Sequence, residues 1–174
     1  MLEIRSVSKS FPGVQALRNV SFNVQTGEIH ALVGENGAGK STLMKILSGV
    51  YTDYEGEILL DGALLALRSP HDAQRHGIAI IHQELNLVPE LTVAENIFLG
   101  RELHTRLGGI DSKRMAQETT DLLNRFHLSI PPQRPVKWLR VGEQQLAEVA
   151  KALALHAHLL ILDEPTSALS EAEI

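Results

Sequence analysis

A glycine-rich segment that ends in a lysine has the residue types needed to bind phosphate groups. Residues 34–42 read GENGAGKST and fit the pattern G-x-x-x-x-G-K-[ST]. Glycines allow the backbone to wrap around phosphates, and a following helix directs its positive end at them. Lys40 would reach the β- and γ-phosphates, and Ser41 would coordinate Mg²⁺. We predict a nucleoside-triphosphate site formed by Gly34, Glu35, Asn36, Gly37, Ala38, Gly39, Lys40, Ser41 and Thr42.

Two adjacent carboxylates form a second candidate site. Asp163 and Glu164 follow the continuous apolar run Leu159–Leu162. Burying two anions together is costly unless a cation or a proton balances them. We expect Mg²⁺, held through water, to pair with Asp163, and Glu164 to orient and deprotonate an attacking water. The alternative interpretation is a strand that simply ends in a polar turn.

The elements that must position these residues alternate between short apolar runs and amphipathic segments, which is typical of an α/β fold. The predicted strands are Leu2–Val7, Val20–Val24, Glu28–Val33, Gly56–Leu60, Ile78–Ile81 and Leu159–Leu162. A helix is predicted over Lys40–Leu47, with Gly49 as its C-cap, and Asp61-Gly62 is predicted to form a hairpin turn.

Two longer amphipathic segments predict a helical insertion into the α/β core. One follows Asp111 and runs to Phe126, and the other is Gly142–His156. Their predicted apolar stripes are Met115, Leu122, Leu123 and Phe126 in the first, and Leu146, Val149, Ala150 and Leu153 in the second. We predict a core formed by residues 1–87 and 156–174, with a helical subdomain at about 88–155.

Composition excludes several classes of protein. Apolar residues make up 44% and charged residues 21% of the 174 residues, close to globular averages. Cysteine is absent and the formal net charge is −5, which argues against disulfide scaffolds and nucleic-acid binders. The longest stretch without a charged residue has 11 residues, whereas spanning a bilayer takes about 20. Without a signal-peptide pattern at Met1–Arg5, we expect a cytoplasmic protein that reaches a membrane through a partner.

Together these motifs resemble the nucleotide-binding domain of an ABC transporter, over the whole chain but only part of such a domain. Lys40–Thr42 matches the Walker A motif and Leu159–Glu164 matches Walker B. Gln83 matches the Q-loop glutamine, for which the resemblance implies contact with Mg²⁺ and the γ-phosphate. Phe11 matches the aromatic residue that stacks on adenine, although a buried strand-end aromatic is the other interpretation. The resemblance therefore implies ATP and Mg²⁺ as cofactors, with Lys40, Gln83 and Glu164 as catalytic residues.

The same resemblance implies a fold. It predicts a P-loop NTPase core of the ABC type, with a parallel sheet, N-terminal antiparallel strands and an inserted helical subdomain. Residues 139–143 read LRVGE where the family signature is LSGGQ, so Arg140 and Glu143 replace a small hydroxyl and an amide. Whether this degenerate signature supports hydrolysis is left open by the sequence.

A valine at the first glycine position of the signature resembles the first domain of tandem ATPases that serve monosaccharide importers. The segments Ile78–Leu85, Leu87–Gly100 and Glu148–Leu153 are similar to importers of ribose, xylose, arabinose and galactosides. This implies an ATP-binding subunit at the cytoplasmic face of the cell membrane. The implied partners are permease subunits, a second nucleotide-binding domain and, indirectly, a periplasmic sugar-binding protein, without nucleic acid.

Other functions remain open at this point. A soluble ABC-type ATPase acting on ribosomes or DNA, an importer for another small solute and a small-molecule P-loop kinase are the alternatives. Ser170–Glu173 fits a capping box at the start of a helix, which favours a piece of a longer protein. The resemblance also implies a strand after Walker B that lies between the Walker A and Walker B strands and ends near a histidine that contacts the γ-phosphate, and residues 1–174 contain neither. Because the two neighbouring strands would then have unpaired backbone groups, we expect residues 1–174 alone to fold poorly and to hydrolyse no ATP.

Overall fold

Contacts divide the chain into two units in the computed structural model, Met1–Ile78 and Ala79–Ile174. The structure describes residues 1–35, 37–81, 85–155 and 157–163. Within these ranges, no helix combines the length and the apolar character needed to cross a membrane.

The first unit contains a four-stranded antiparallel sheet and two helices. The strands are β1 (Leu2–Phe11), β2 (Val14–Val24), β3 (Glu55–Leu60) and β4 (Ala63–Leu64), in the order β2-β1-β3-β4. The helices are α1 (Lys40–Leu47) and α2 (Pro70–Arg75). Strand β1 is central, and its side chains Ile4 and Val7 are buried with Ile58 of β3. This alternation of buried and exposed side chains is expected for a sheet with one face covered.

Strands β1 and β2 are longer than the sequence predicts. The predicted ranges were Leu2–Val7 and Val20–Val24, whereas the hairpin extends to Phe11 and Val14. Register shifts interrupt the pairing of β1 with β2 after Ile4 and again near Lys9. A bulge breaks the alternation of apolar and polar side chains while the strand continues, so the pattern ends before the strand does.

Local predictions around α1 are confirmed. The helix spans Lys40–Leu47, and Gly49 follows it with a φ of +73° and donates its N–H to Ile46 O at 3.0 Å. A side chain at position 49 would also collide with the backbone of Ser69. Asp61 and Gly62 both have positive φ, as expected for the tight turn between β3 and β4.

The predicted strand Glu28–Val33 is wrong, because residues 28–33 have no strand structure. A turn precedes the segment, where Glu28 N–H donates to Gln25 O at 3.1 Å. Ile29 and Val33 are 99% and 94% exposed. An apolar run predicts which side chains prefer burial, whereas a strand also needs a hydrogen-bonded neighbour, and this segment has none assigned to it in the described part of the chain.

The second unit is mainly helical. Its helices are α3 (Val93–Ile97), α4 (Ser112–Arg125) and α5 (Val141–Leu153), with a 3₁₀ turn at Val136–Trp138. Buried side chains from these elements form one apolar cluster, whose members include Val93, Ile97, Met115, Leu123, Val136, Leu139, Ala147 and Ala150. Strands β5 (Ile78–Ile81) and β6 (Leu159–Leu162) pair with each other at the predicted positions. Among the described residues no named strand lies between 88 and 155, while the predicted subdomain boundaries themselves stay a prediction.

Local hydrogen bonds explain where these helices begin. Thr92 and Glu95 form a reciprocal capping box at the start of α3. Asp111 caps α4, as its Oδ1 accepts the N–H of Arg114 at 3.0 Å. Arg101 donates to Ile97 O at 2.9 Å and to Ala154 O at 2.7 Å, which ties the ends of α3 and α5 together.

The apolar stripes of α4 and α5 differ from the prediction in part. In α4, Met115 and Leu123 are buried as predicted, but Phe126 is 42% exposed and Thr119 is fully buried. Phe126 caps the helix end, so it no longer follows the helical period. In α5, Ala150 is buried, whereas Leu146, Val149 and Leu153 are only partly buried. Helix α5 ends at Leu153, before the predicted end at His156, which lies outside the described residues.

Candidate functional site

The glycine-rich loop leads directly into helix α1, as the phosphate-binding pattern predicts. Gly37 and Gly39 have φ values of +85° and +93°, which favour glycine. A Cβ at Gly39 would also overlap Ala16 O and lie 2.7 Å from Leu17 Cδ2. Glycine at position 39 is therefore required both by the backbone conformation and by the close approach of β2.

The start of α1 is free of protein caps among the described residues. Gly39 offers no side chain to the first turn, and no acidic residue lies in that turn. The helical ladder begins with Leu43 N–H donating to Gly39 O at 3.0 Å. The amides of the first turn have no acceptor within the helix, so this end carries a partial positive charge and can receive an anion.

Lys40 folds back over the loop that precedes it. Its Nζ donates to Gly34 O at 2.6 Å and to Glu35 O at 3.0 Å. Glu35 O also accepts the N–H of Ala38 at 3.1 Å, which closes the turn of the loop. The ammonium therefore lies at the loop and the start of α1, where it can contact phosphate oxygens together with the amides of the first turn.

Phe11 lies at the end of β1 in a cluster of aromatic and charged side chains. Its ring centroid is 5.3 Å from that of Tyr51, with the two rings at 66°. The Nζ of Lys9 lies 5.0 Å from the Phe11 centroid and 2.6 Å from Asp53 Oδ2. Sequence reasoning missed Lys9, Tyr51 and Asp53. The available signal was the spacing of Lys9 and Phe11, because residues two apart on a regular strand share a face. The register shift after Lys9 weakens that signal, and the contact itself is seen only in the structure.

Asp163 directly follows β6 in the second unit. Its N–H donates to Ile81 O at 3.0 Å, so the pairing of β5 and β6 fixes the backbone that carries this carboxylate. Asn36, Gln83 and Glu164, which the sequence also predicts to be site residues, lie outside the described residues.

The described residues include oxygen ligands of the kind that suit Mg²⁺ bound together with a nucleotide. No group of three histidine, aspartate or glutamate side chains in the described ranges is placed to hold a metal ion by itself. Mg²⁺ is usually bound by one or two protein ligands plus phosphate oxygens and water. In the first unit, the exposed side chain of Ser41 at the start of α1 carries a hydroxyl of that kind. In the second unit, Asp163 carries a carboxylate of that kind.

The altered signature segment forms the start of α5. Arg140 is the N-cap, and its N–H donates to Glu143 Oε2 at 2.8 Å. An arginine side chain has no hydrogen-bond acceptor, so it cannot accept a backbone N–H from the first turn of α5. Gln144 Nε2 donates to Leu139 O at 3.1 Å and further fixes the entry into the helix.

Comparison with known proteins identifies relatives over nearly the whole chain. The chain is 55% identical to the xylose import ATP-binding protein XylG of Thermoanaerobacter pseudethanolicus, with 99% of this chain and 34% of that protein covered. It is 53% identical to the ribose import ATP-binding protein RbsA of Rhodopirellula baltica, with 99% and 34% covered. The chain thus spans about a third of the length of the curated relatives it matches.

Solved structures show the same fold. A nucleotide-free ATP-binding cassette of an ABC transporter superposes with a TM-score of 0.84 at 24% identity, covering 99% of this chain and 72% of that one. A dimeric ATP-binding cassette in a post-hydrolysis state, bound to ADP and Pi, gives 0.80 at 26% identity, covering 99% and 78%. The mixed α/β architecture is therefore that of a P-loop NTPase cassette.

Residues 17–167 match the sequence model of a protein family described as ABC transporter. This range contains the glycine-rich loop and Asp163, and it covers most of the chain. The predicted resemblance is confirmed by the family match and by the relatives: the chain belongs to the ABC transporter family.

Proposed function

We propose that the chain is the ATP-binding part of a bacterial ABC importer for a monosaccharide, which couples binding and hydrolysis of MgATP to sugar uptake. ATP binding is supported by the glycine-rich loop before α1. Lys40 hydrogen-bonds to the carbonyls of Gly34 and Glu35 in this loop, and no side chain caps the start of α1. The sugar is suggested by relatives of more than 50% identity that are named for import of xylose and ribose.

Nucleotide binding is assigned to residues of the first unit. The amides of the loop and of the first turn of α1 would donate to phosphate oxygens, and Lys40 would exchange its bonds to Gly34 and Glu35 for the β- and γ-phosphates. The Phe11 ring would stack on adenine, for which an aromatic face is a suitable surface.

Hydrolysis is assigned to polar residues around the γ-phosphate. Ser41, Gln83 and Asp163 would hold Mg²⁺, which neutralises charge on the phosphates. Glu164 would accept a proton from the attacking water as its oxygen bonds to the γ-phosphorus. The bond from that phosphorus to the β–γ bridging oxygen would break, so the products are ADP and phosphate.

The partners follow from the proposed role in import. Sugar must pass through integral-membrane permease subunits, to which the chain would bind at the cytoplasmic face of the membrane. A periplasmic sugar-binding protein would deliver the substrate, and a second nucleotide-binding domain would complete the ATPase. No nucleic acid is part of this proposal.

Uptake in cells tests the proposal directly. A strain lacking the natural gene would be complemented with the wild-type gene, with a Glu164→Gln variant, or with a Glu118→Gln control on the surface of α4. Uptake of labelled ribose, xylose, arabinose and galactose would be measured beside ATPase activity of the purified complex. We expect wild type and control to restore uptake of a monosaccharide. Glu164→Gln should bind ATP but lose about 10²–10⁴ in hydrolysis, because it lacks the general base.

Two results would contradict parts of this assignment. ATP hydrolysis without uptake of any monosaccharide would favour a soluble ATPase or an importer for another solute. Hydrolysis by Glu164→Gln at the wild-type rate would show that another residue acts as the base.

A further inference from the structure

Lys9 is a buried lysine next to the predicted adenine-stacking residue. Its side chain is only 5% exposed, which is rare for lysine. The ammonium donates to Asp53 O at 2.7 Å and lies 2.6 Å from Asp53 Oδ2. The Asp53 side chain is 83% exposed, so the buried ammonium of Lys9 is paired with a carboxylate that lies at the protein surface. A desolvated charge persists in a fold only where such partners compensate it.

The same ammonium contacts two aromatic rings. Its Nζ lies 5.0 Å from the centroid of Phe11 and 5.7 Å from that of Tyr51. Both distances are within the range of an attractive cation–π interaction. Phe11 and Tyr51 also contact each other in an edge-to-face arrangement at 5.3 Å. Phe11 is thus held by a cation and by a second ring before any ligand binds.

Tyr51 connects this cluster to helix α1. Its backbone N–H donates to Lys45 O at 3.0 Å, and Lys45 Nζ lies 5.7 Å from the Tyr51 ring. Helix α1 begins at the phosphate-binding loop and ends four residues before Tyr51. The position of Phe11 is therefore linked through Tyr51 to the helix that presents the loop.

We propose that Lys9 and Tyr51 are positioning residues that hold the Phe11 ring as a preformed platform for the adenine base, at a set distance from the phosphate-binding loop. The proposal rests on the proposed ATP-binding function and adds to it the groups that prepare base recognition. A side chain at a hairpin end otherwise loses rotamer freedom when it stacks on a ligand, and that loss weakens binding. Because Lys9 and Tyr51 already restrict the Phe11 side chain in the free protein, less rotamer freedom is lost when adenine binds.

Base-dependent and base-independent binding can be measured separately. MgATP and magnesium tripolyphosphate, which lacks the nucleoside, would be titrated calorimetrically into the natural gene product and its variants. We expect Phe11→Ala to weaken binding of MgATP by about 5- to 150-fold, the range for loss of one stacked base. Lys9→Met and Tyr51→Leu should each weaken MgATP by about 3- to 10-fold, from one side chain that must be ordered on binding. Tripolyphosphate affinity should not change in any of the three.

Matched variants test whether Lys9 acts through Phe11. Lys9→Arg should largely retain MgATP affinity, since it keeps a cation next to the ring. Lys137→Met removes a lysine 5.8 Å from the Trp138 ring, an aromatic pair away from the proposed site, and should have no effect. In a Phe11→Ala background, Lys9→Met should cause no further loss, because residues acting as one unit are not additive.

The outcomes distinguish this proposal from the function on which it rests. If wild type binds neither ligand, the proposed nucleotide site is wrong. If Phe11→Ala lowers MgATP affinity while Lys9→Met and Tyr51→Leu do not, the positioning role is overturned and the site remains. An equal loss for MgATP and tripolyphosphate would also overturn it, because it would reflect general destabilisation. If Lys9→Met does not fold, Tyr51→Leu alone decides by the same comparison.

Discussion

The ammonium of Lys40 donates a hydrogen bond of 2.6 Å to the carbonyl oxygen of Gly34, the first residue of the loop that precedes α1. This contact spans the whole loop and places a positive charge at the start of the helix. A carbonyl is a weaker acceptor for a cation than a phosphate oxygen, because charge-assisted hydrogen bonds to ionised acceptors are about twice as strong. We therefore propose that, when nucleotide binds, Lys40 replaces its hydrogen bonds to backbone carbonyls with hydrogen bonds to phosphate oxygens.

Replacement of Lys40 should weaken binding of MgATP. Hydrogen bonds to charged groups contribute about 1.5–3 kcal/mol, so Lys40→Ala should raise the dissociation constant about 10- to 150-fold. Calorimetry with MgATP measures this, with Lys113→Ala on the exposed face of α4 as the control. Equal affinity in wild type and Lys40→Ala would reject the assignment of this lysine.

Alanine at position 39 should destabilise the protein more than alanine at position 37. Both glycines have φ near +90°, so each substitution incurs the cost of about 1–2 kcal/mol for an L-residue in the left-handed region. Only position 39 adds a collision with Ala16 and Leu17, which should cost about 1–3 kcal/mol more, whereas the space around position 37 is open. Urea unfolding of the two variants measures the difference. An equal decrease in the free energy of unfolding in both variants would contradict the prediction, because it would mean that β2 accommodates the added methyl group at position 39 without an energetic cost.

Serine at position 140 should stabilise α5. Arg140 is an N-cap without an acceptor, and its N–H already bonds to Glu143 at 2.8 Å. Arg140→Ser would let the hydroxyl accept the N–H of Glu143 and complete a capping box, with a gain of about 1 kcal/mol. Arg140→Ala is the matched control, because it removes the cation without supplying a cap. The difference would appear in hydrogen exchange of the α5 amides, and equal protection in both variants would contradict the prediction.

Asp53 should titrate below its usual value of 3.8. The side-chain hydrogen bond from Lys9 lowers the pKa of Asp53, with smaller effects from a backbone hydrogen bond and from the charge of Lys9. Since the folded pKa is the lower one, the ion pair stabilises the fold above the unfolded pKa, and this contribution disappears as the pH falls through the folded pKa. Carboxyl NMR should show the pKa returning toward 3.8 in Lys9→Met. An unchanged pKa in that variant would mean that Lys9 is not the cause.

Features that depend on neighbouring residues could be predicted from the amino-acid sequence. The start and end of α1, the Asp61-Gly62 turn and the positions of β5 and β6 follow from glycine placement, helical period and apolar runs. The phosphate-binding pattern is also local, because its function depends on nine consecutive residues. Local order of this kind needs no knowledge of where distant segments lie.

Features that require a partner far away in the chain could not be predicted in this way. Residues 28–33 have strand-like composition but no strand structure, because hydrogen-bonded pairing is a property of two segments. Phe126 has an apolar side chain but lies beyond the helical period that buries Leu123. The contact of Lys9 with Asp53 joins residues 44 apart, and no local pattern indicates it. Burial and ion pairing of such residues depend on how the chain brings separate strands together, so they become visible only in the folded molecule.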